Sequence, residues 1–414
     1  MKTRTRRELL GDAVLVGSAL AHPTLLGAAL DAEAGQPAVE SPDVEQAQAP
    51  PDGPGQARAA WRELVEALRA CDAPFVDEAR GGFDEGELAY GYRYLSHLMS
   101  FVTDVYLYGD PDAPVFRSVQ DAPFEKTLGG HPDVHYAFAP VRGDRRYRIT
   151  GRRGDEAYLS FTLHRGTRGS GLEQSFDSHL NHHRLETDPD GRFEIIVSPT
   201  REGRNWLRSS PDATEIYARA YVLDRTRDAP ATFRIEALDA NAPRPLRLKD
   251  QIERIRWATR ALREMSEAFI QPLEATNRIG ELWQIEPEGP SRFWQAVDNV
   301  YCRGVYALQP SEALVLEGRV VPCDYWGIQL WSPCGMGSGD YRLGPVSINT
   351  SQAHLGPKGE FRVAIARENP NVPGLDWIST AGERRGTFFV RWMVPRSQPP
   401  APRCRLTTLE TLRS

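Results

Sequence analysis

ITGRRGDEAYLSFTL, residues Ile149 to Leu163, lies without gaps on LEGRVVPCDYWGIQL, residues Leu316 to Leu330. Gly151, Arg152, Tyr158 and Leu163 meet Gly318, Arg319, Tyr325 and Leu330. Further along come Gly169-Ser170-Gly171 and Gly337-Ser338-Gly339, then GRFEIIV from Gly191 and GEFRVAI from Gly359. NWL from Asn205 is matched by DWI from Asp376, and a lone arginine in an apolar strand, Arg219, by Arg391. The spacings agree: Gly151 to Gly191 is 40 residues and Gly318 to Gly359 is 41, while Trp206 to Arg219 is 13 and Trp377 to Arg391 is 14. The longest difference, 15 residues from Gly191 to Trp206 against 18 from Gly359 to Trp377, falls in polar, turn-forming sequence, where loops absorb insertions. The common order predicts an internal duplication, two copies of one β-rich unit.

The bulk composition narrows the class. With 414 residues the chain has room for about two to three domains. A net charge of −6, from 50 basic and 56 acidic residues, offers no basic face for nucleic acid. Five cysteines without a CxxC pair imply no disulfide framework, although one bridge among Cys302, Cys323 and Cys334 stays open. At the N-terminus, Thr5-Arg6-Arg7-Glu8-Leu9-Leu10-Gly11 resembles a twin-arginine export signal, with Ala32-Glu33-Ala34 as a small-residue cleavage site. Asp12 and the His22-Pro23 interruption argue against it, so export and a cytoplasmic location both stay open. The same interruption makes Ala13–Leu30 unsuited to an integral membrane span.

The expected organisation is a leader over 1–34, a disordered linker over 35–56, helices plus a first β unit over 57–245, and a helix plus a second β unit over 246–414. Trp61, Leu64, Val65 and Leu68 recur at helical spacing. Asp84 with Glu87 forms a capping-box signature ahead of Leu88, Tyr92, Leu95, Met99 and Val102. A further helix starts near Asp250, and Ser291 opens a short segment through Phe293, Trp294 and Val297. Elsewhere the period drops to two: Leu159, Phe161 and Leu163, then Phe193, Ile195 and Val197, then Phe361, Val363 and Ile365. These are half-buried antiparallel strands separated by turns such as Asp188-Pro189-Asp190-Gly191 and Gly356-Pro357-Lys358-Gly359. The fold class is mainly β with flanking α-helices: two tandem jelly-roll-like β-sandwich units.

DPDGRFEIIVS, NWL and YARAY, and in the second copy GEFRVAIA, LDWI and GTFFVRWMVP, resemble the bacterial family called domain of unknown function 1214. Cys323-Asp324-Tyr325-Trp326-Gly327 looks like that family's aromatic strand, and the second copy is the better match. His131-Pro132-Asp133-Val134-His135-Tyr136 is similar to an Asn-Pro-Asp-x-x-Tyr segment of its relatives and of the partner family numbered 1254, with His131 replacing the asparagine. The resemblance spans roughly residues 57–410 and implies a β-sandwich with helical additions; it implies no established activity.

Arg219 and Arg391 sit in strands apolar on both faces, and a buried guanidinium requires an acceptor. Asp133 (with Tyr136) and Asp298 (with Tyr301) are the expected partners. Two readings compete: an internal Arg–Asp tie, which is the simpler, or a carboxylate- or phosphate-binding arginine in each copy. His179 and His183 of SHLNHH share a face if extended and would need a third ligand to hold a metal, so no metal site is assigned. The Gly337–Gly339 loop lacks the following helix of a phosphate cradle and is expected to be a mobile β–β rim. Trp326 and Trp392 suit core filling.

The expected catalytic set is therefore Asp133, His135, Tyr136 and Arg219; the expected ligand-binding set is Asp298, Tyr301, Arg391 and Trp377. No organic cofactor is implied. Three functions remain: a cofactor-free small-molecule enzyme (hydrolase, lyase or isomerase), a non-catalytic carbohydrate- or ligand-binding sandwich, and a structural or assembly protein. The partner in the first two is a small molecule, and homo-oligomerisation is compatible with all three.

Overall fold

The computed structural model describes residues 53–77, 82–120, 126–239, 245–270, 277–286 and 289–414; the expected leader and most of the linker lie outside them. Along the chain run β1 (Arg117–Ser118), β2 (Val134–Pro140), β3 (Tyr147–Arg152), β4 (Tyr158–Gly166), β5 (Gln174–Asn181), β6 (Arg192–Ser198), β7 (Asn205–Arg208), β8 (Ala213–Tyr221) and β9 (Thr232–Ala237). They form two sheets, ordered β1-β2-β8-β4-β5 and β7-β6-β3-β9. The second set is β10 (Arg278–Gln284), β11 (Asn299–Ala307), β12 (Glu312–Arg319), β13 (Tyr325–Trp331), β14 (Ser347–Asn349), β15 (Glu360–Ala366), β16 (Asp376–Ser379), β17 (Arg385–Met393) and β18 (Arg403–Thr408). Its sheets run β10-β11-β17-β13-β14 and β16-β15-β12-β18. Each strand of the second unit thus follows its counterpart by nine places, in the same order. Even the exceptional parallel pairs correspond, β6 with β7 and β15 with β16.

The matched landmarks occupy equivalent registers. Gly151 lies opposite Phe193, and Gly318 opposite Phe361. Each phenyl ring folds over its glycine, so that a Cβ at either position would stand 2.5 Å from a ring carbon. Trp206 pairs with Ile196, and Trp377 with Ala364. Their indoles donate to the equivalent carbonyls of Ser198 and Ala366 at 3.1 and 3.0 Å. The turn glycines Gly191 and Gly359 adopt φ of +82° and +81°, which the absent side chain permits.

Within each unit the two sheets enclose an apolar core. Ile149, Phe161, Phe193, Ile195 and Ile216 fill the first; Trp326, Phe361, Val363, Phe388 and Trp392 fill the second. The outer faces of the two five-stranded sheets meet a third apolar cluster, shared with the helices, in which Tyr136, Tyr158, Tyr217 and Tyr221 join Tyr301, Tyr325, Trp331 and Phe389. Both sandwiches therefore contribute aromatic residues to a common middle layer.

Helices cover this layer: α1 (Gly53–Ala70), α2 (Ala73–Val76), α3 (Glu85–Val102) and α4 (Leu248–Ala268); at the C-terminus α5 (Leu409–Arg413) packs instead against Ala313 and Ala366 of the outer four-stranded sheet. The first begins at Gly53, inside the stretch expected to be linker. The Asp84–Glu87 capping box is formed as expected. Helix α4 starts two residues before Asp250, with Arg247 at the cap position and no side-chain cap bond. Tyr94 of α3 donates to the Met265 carbonyl of α4 at 2.7 Å. Ser291 precedes a single 3-10 turn, Arg292–Trp294, which it does not cap.

The Gly-Ser-Gly segments differ from expectation. Residues 331–340 are buried throughout, and the Ser338 amide donates to the Lys126 carbonyl at 2.8 Å. In the first unit, Ser170 and the Gly171 amide bind the Glu264 carboxylate of α4 at 2.9 and 2.8 Å. Both loops dock between layers, because their compact backbone lets another chain segment come close, and neither forms a mobile rim. All five cysteines are free.

Candidate functional site: a two-arginine chamber between the sandwiches

β8 and β17 are the central strands of the two five-stranded sheets. Across the first sheet, Tyr136, Arg219, Ser160 and Asn181 stand in one row; across the second, Tyr301, Arg391, Gly327 and Asn349 do the same. Residues directly opposite on neighbouring antiparallel strands project from one face. Both arginines thereby enter the aromatic middle layer, where they border a cavity of about 80 Å³.

Tyr136, Tyr217, Tyr221 and Tyr301 line this cavity with Arg219 and Arg391, and Phe269, Trp294, Trp331 and Phe389 add apolar surface. Arg292, exposed, with Phe293 and Gln295, half-buried, stands where the lining meets solvent. Arg219 is 3% exposed, lies 4.2 Å over the Tyr217 ring, and donates to the Trp294 carbonyl. Arg391 is 4% exposed, lies 5.6 Å from the Tyr301 ring centre, and donates to the Tyr221 hydroxyl at 3.1 Å. These ring contacts favour the cations but leave Arg219 Nη1 and Arg391 Nε buried without a hydrogen-bond partner. Among the described residues neither guanidinium has a carboxylate within ion-pair distance, so the expected Arg–Asp tie does not form as a direct pair.

The aspartates are engaged across the interface instead. Asp133 Oδ2 accepts from Tyr325 of the opposite unit at 2.7 Å and from Asn349 at 2.7 Å, with Arg225 Nε 3.4 Å from Oδ1. Asp298 Oδ2 accepts from Tyr158 of the opposite unit at 2.7 Å, His179 at 2.7 Å and Asn181 at 2.8 Å. Tyr158 corresponds to Tyr325 and Asn181 to Asn349, so the arrangement is reciprocal. His131 Nδ1 accepts from the Asp133 amide at 3.0 Å, which leaves Nε2 to donate to Tyr325, 3.1 Å away. Burial, then the fields of Arg391 and Arg225, push its pKa far down and keep the ring neutral. The asparagine replaced by His131 thus marks a buried structural imidazole.

Of the expected catalytic set, Tyr136 and Arg219 border the chamber, and Asp133 belongs to the adjoining interface. His135 is exposed and alternates away from Tyr136, so it is not brought to them. Of the ligand-binding set, Tyr301 and Arg391 border the chamber, Asp298 lies in the interface, and Trp377 sits on the outer four-stranded sheet. Tyr217 and Tyr221 were legible as flanks of Arg219 at period two; Trp294, Phe293 and Met336 carried no comparable signal. His179 turns to Thr162 and Asp298, away from His183. His182 and His183 converge on Asp324, but Arg396 holds the same carboxylate at 2.8 Å and supplies its positive charge.

Backbone strain gathers here. Eight non-glycine residues among those described have left-handed φ, and five of them line the cavity: Gln120, Leu128, Phe293, Trp294 and Met336. Such conformations persist only where surrounding packing enforces them, and they concentrate at ligand sites.

A doubled β-sandwich with a cationic aromatic chamber between its halves is the class that fold and site define. Residues 136–224 match the family described as "Protein of unknown function (DUF1214)". The match falls on the first unit, whereas the sequence landmarks favoured the second. A crystal structure of an uncharacterized protein from Burkholderia cenocepacia is similar over 86% of this chain and 99% of its own, at 28% identity and a TM-score of 0.76. A protein from Vibrio parahaemolyticus aligns over 78% of this chain and 98% of its own, at 10% identity and a TM-score of 0.44. None of the curated proteins compared with the sequence matches it. No helix of the described residues is long and apolar enough to cross a membrane.

Proposed function

We propose that this protein is a small-molecule-binding protein whose ligand enters the chamber between the sandwiches and presents a carboxylate or phosphate to Arg219 and Arg391. The observation that carries this reading is the pair of buried guanidiniums with unused N–H donors, Arg219 Nη1 and Arg391 Nε, bordering one cavity. A buried charge without acceptors is costly, and an anionic ligand would supply them. The strained cavity lining supports the same reading, because a purely structural core has no need of five left-handed residues at one place.

Binding without turnover is favoured over acid–base catalysis. Among the described residues the lining contains no carboxylate or imidazole. Burial raises the pKa of Tyr136, Tyr217 and Tyr301, so these phenols act as neutral donors near pH 7. The shared strand order supports descent of both units from one duplicated ancestor. Native mass spectrometry of the purified chain, with titration calorimetry against small carboxylates and phosphate, tests the proposal. A retained or titratable anion that Arg219→Met and Arg391→Met each lose is the expected result; an anion bound equally well by both variants would refute it.

A further inference from the structure

The ligand's charge can be read from the chamber, granted that the chamber binds an anion as proposed above. Arginine stays protonated at any accessible pH, so Arg219 and Arg391 bring two permanent buried positive charges to the lining, while Arg292, exposed at the rim, has its charge screened by solvent. Three buried or half-buried carboxylates around the chamber take their donors from other groups, although Glu215 Oε2 has none. Glu215, four residues from Arg219 on the same face of β8, accepts through Oε1 from the Trp294 indole at 2.9 Å and lies in the field of Arg168. Asp133 is held by Tyr325, Asn349 and Arg225. Asp298 is held by Tyr158, His179 and Asn181. The phenols that line the wall are donors, and they do not offset charge.

The two cations are also placed alike. Each sits at the seventh of nine positions in the central strand of its sheet, opposite an equivalent tyrosine, Tyr136 or Tyr301. Each projects one unsatisfied N–H. A monoanion could neutralise one of them and would leave the other buried without a counter-charge. We infer that the natural ligand is a small dianion, one negative group meeting Arg219 and the other Arg391, or one phosphate bridging both. The cavity of about 80 Å³ sets its size. A single water needs about 10–15 Å³ by this measure, so the space holds roughly five to eight non-hydrogen atoms. That is the size of inorganic phosphate or a dicarboxylate of about three or four carbons, and it is too small for a sugar phosphate or nucleotide.

The test is titration calorimetry on the full chain at pH 7.5, with malonate, succinate and inorganic phosphate set against propionate and butyrate. The inference expects at least one dianion to bind tenfold or more tightly than the monoanion of equal length; the carboxylate and phosphate arms identify the source. Arg219→Met and Arg391→Met should each lower dianion affinity at least tenfold and abolish the preference, while Arg219→Lys and Arg391→Lys, which keep the charge, should retain part of it. Circular dichroism confirms folding, and if a Met variant fails to fold, an unchanged preference in the matching Lys and Gln variants counts against the inference. Equal binding of monoanions and dianions overturns the charge assignment while leaving the chamber as a binding site. Absence of binding by every probe overturns both.

Discussion

The Tyr325 hydroxyl crosses from the second sandwich to donate to Asp133 of the first at 2.7 Å, and this carboxylate is 1% exposed. Tyr158 makes the mirror contact to Asp298, also at 2.7 Å. A hydrogen bond to a buried charged group contributes about 1.5–3 kcal/mol. Tyr325→Phe is therefore expected to lower unfolding free energy by about that amount. Tyr158→Phe should cost less, because the Asp298 side chain is 20% exposed and water can replace the lost donor. Urea denaturation of both variants checks the ranking; equal costs would contradict it.

Removing a chamber arginine should not cost stability. Arg219 and Arg391 lack acidic partners, whereas Arg385 binds the buried Glu87 at 2.7 Å. Replacing a buried charge that lacks a counter-ion by an apolar side chain of similar length is often neutral or stabilising, while breaking a buried pair costs about 3–5 kcal/mol. Arg219→Met and Arg391→Met should melt at or above the wild-type temperature, and Arg385→Met well below it. A large loss in all three would return the chamber arginines to a structural role.

Gly151 and Gly318 should both be intolerant of a side chain. In each case an added methyl group meets the phenyl ring folded over the glycine at 2.5 Å, and further atoms crowd within 3.4 Å. Overpacking of this kind costs about 1–3 kcal/mol. Gly318→Ala is expected to fall in that range in chemical denaturation and to be relieved by Phe361→Leu, whereas Gly151→Ala, whose Cβ would also meet the Thr232 carbonyl at 2.5 Å, should cost more and be relieved less by Phe193→Leu.

Asp298 gives the molecule an acid-sensitive point. Burial alone would raise its pKa, but hydrogen bonds and charge from His179, with Asn181 and Tyr158, outweigh it and hold the carboxyl well below 3.8. A depressed carboxyl contributes stability above its unfolded pKa, and that contribution fades as the pH falls through and below about 4. Asp133, raised by burial, has the opposite sign. Asp298→Asn should thus flatten the loss of stability between about pH 4 and pH 2, measured as urea midpoints across that range. A slope unchanged from wild type would exclude Asp298 as a source.

Much of this architecture could be read along the chain, and the reasons are local. Gly151, Gly318, Gly191 and Gly359 are needed by a ring or a turn inside one sheet, and Trp206 and Trp377 by a carbonyl of the neighbouring strand, so each leaves a mark at fixed spacing. The central placement of Arg219 and Arg391 followed from strands apolar on both faces. What the sequence could not reveal was partnership between units. Asp133 meets Tyr325, 192 residues away, in preference to the Arg219 row beside it. His135, adjacent in sequence to Tyr136, faces the opposite way because a strand alternates its side chains. The buried Gly337–Gly339 loop looked mobile because nothing in its composition shows the layer that docks upon it.

The crossed hydroxyl–carboxylate contacts bear on how such a chain can change over time. A sandwich lifted out alone would surface with a stranded phenol and an orphan aspartate, each fitted to a mate it had left behind. The two halves repeat one pattern, yet neither is a spare part: a change on one side of the seam is felt by the other, and the pair must diverge together.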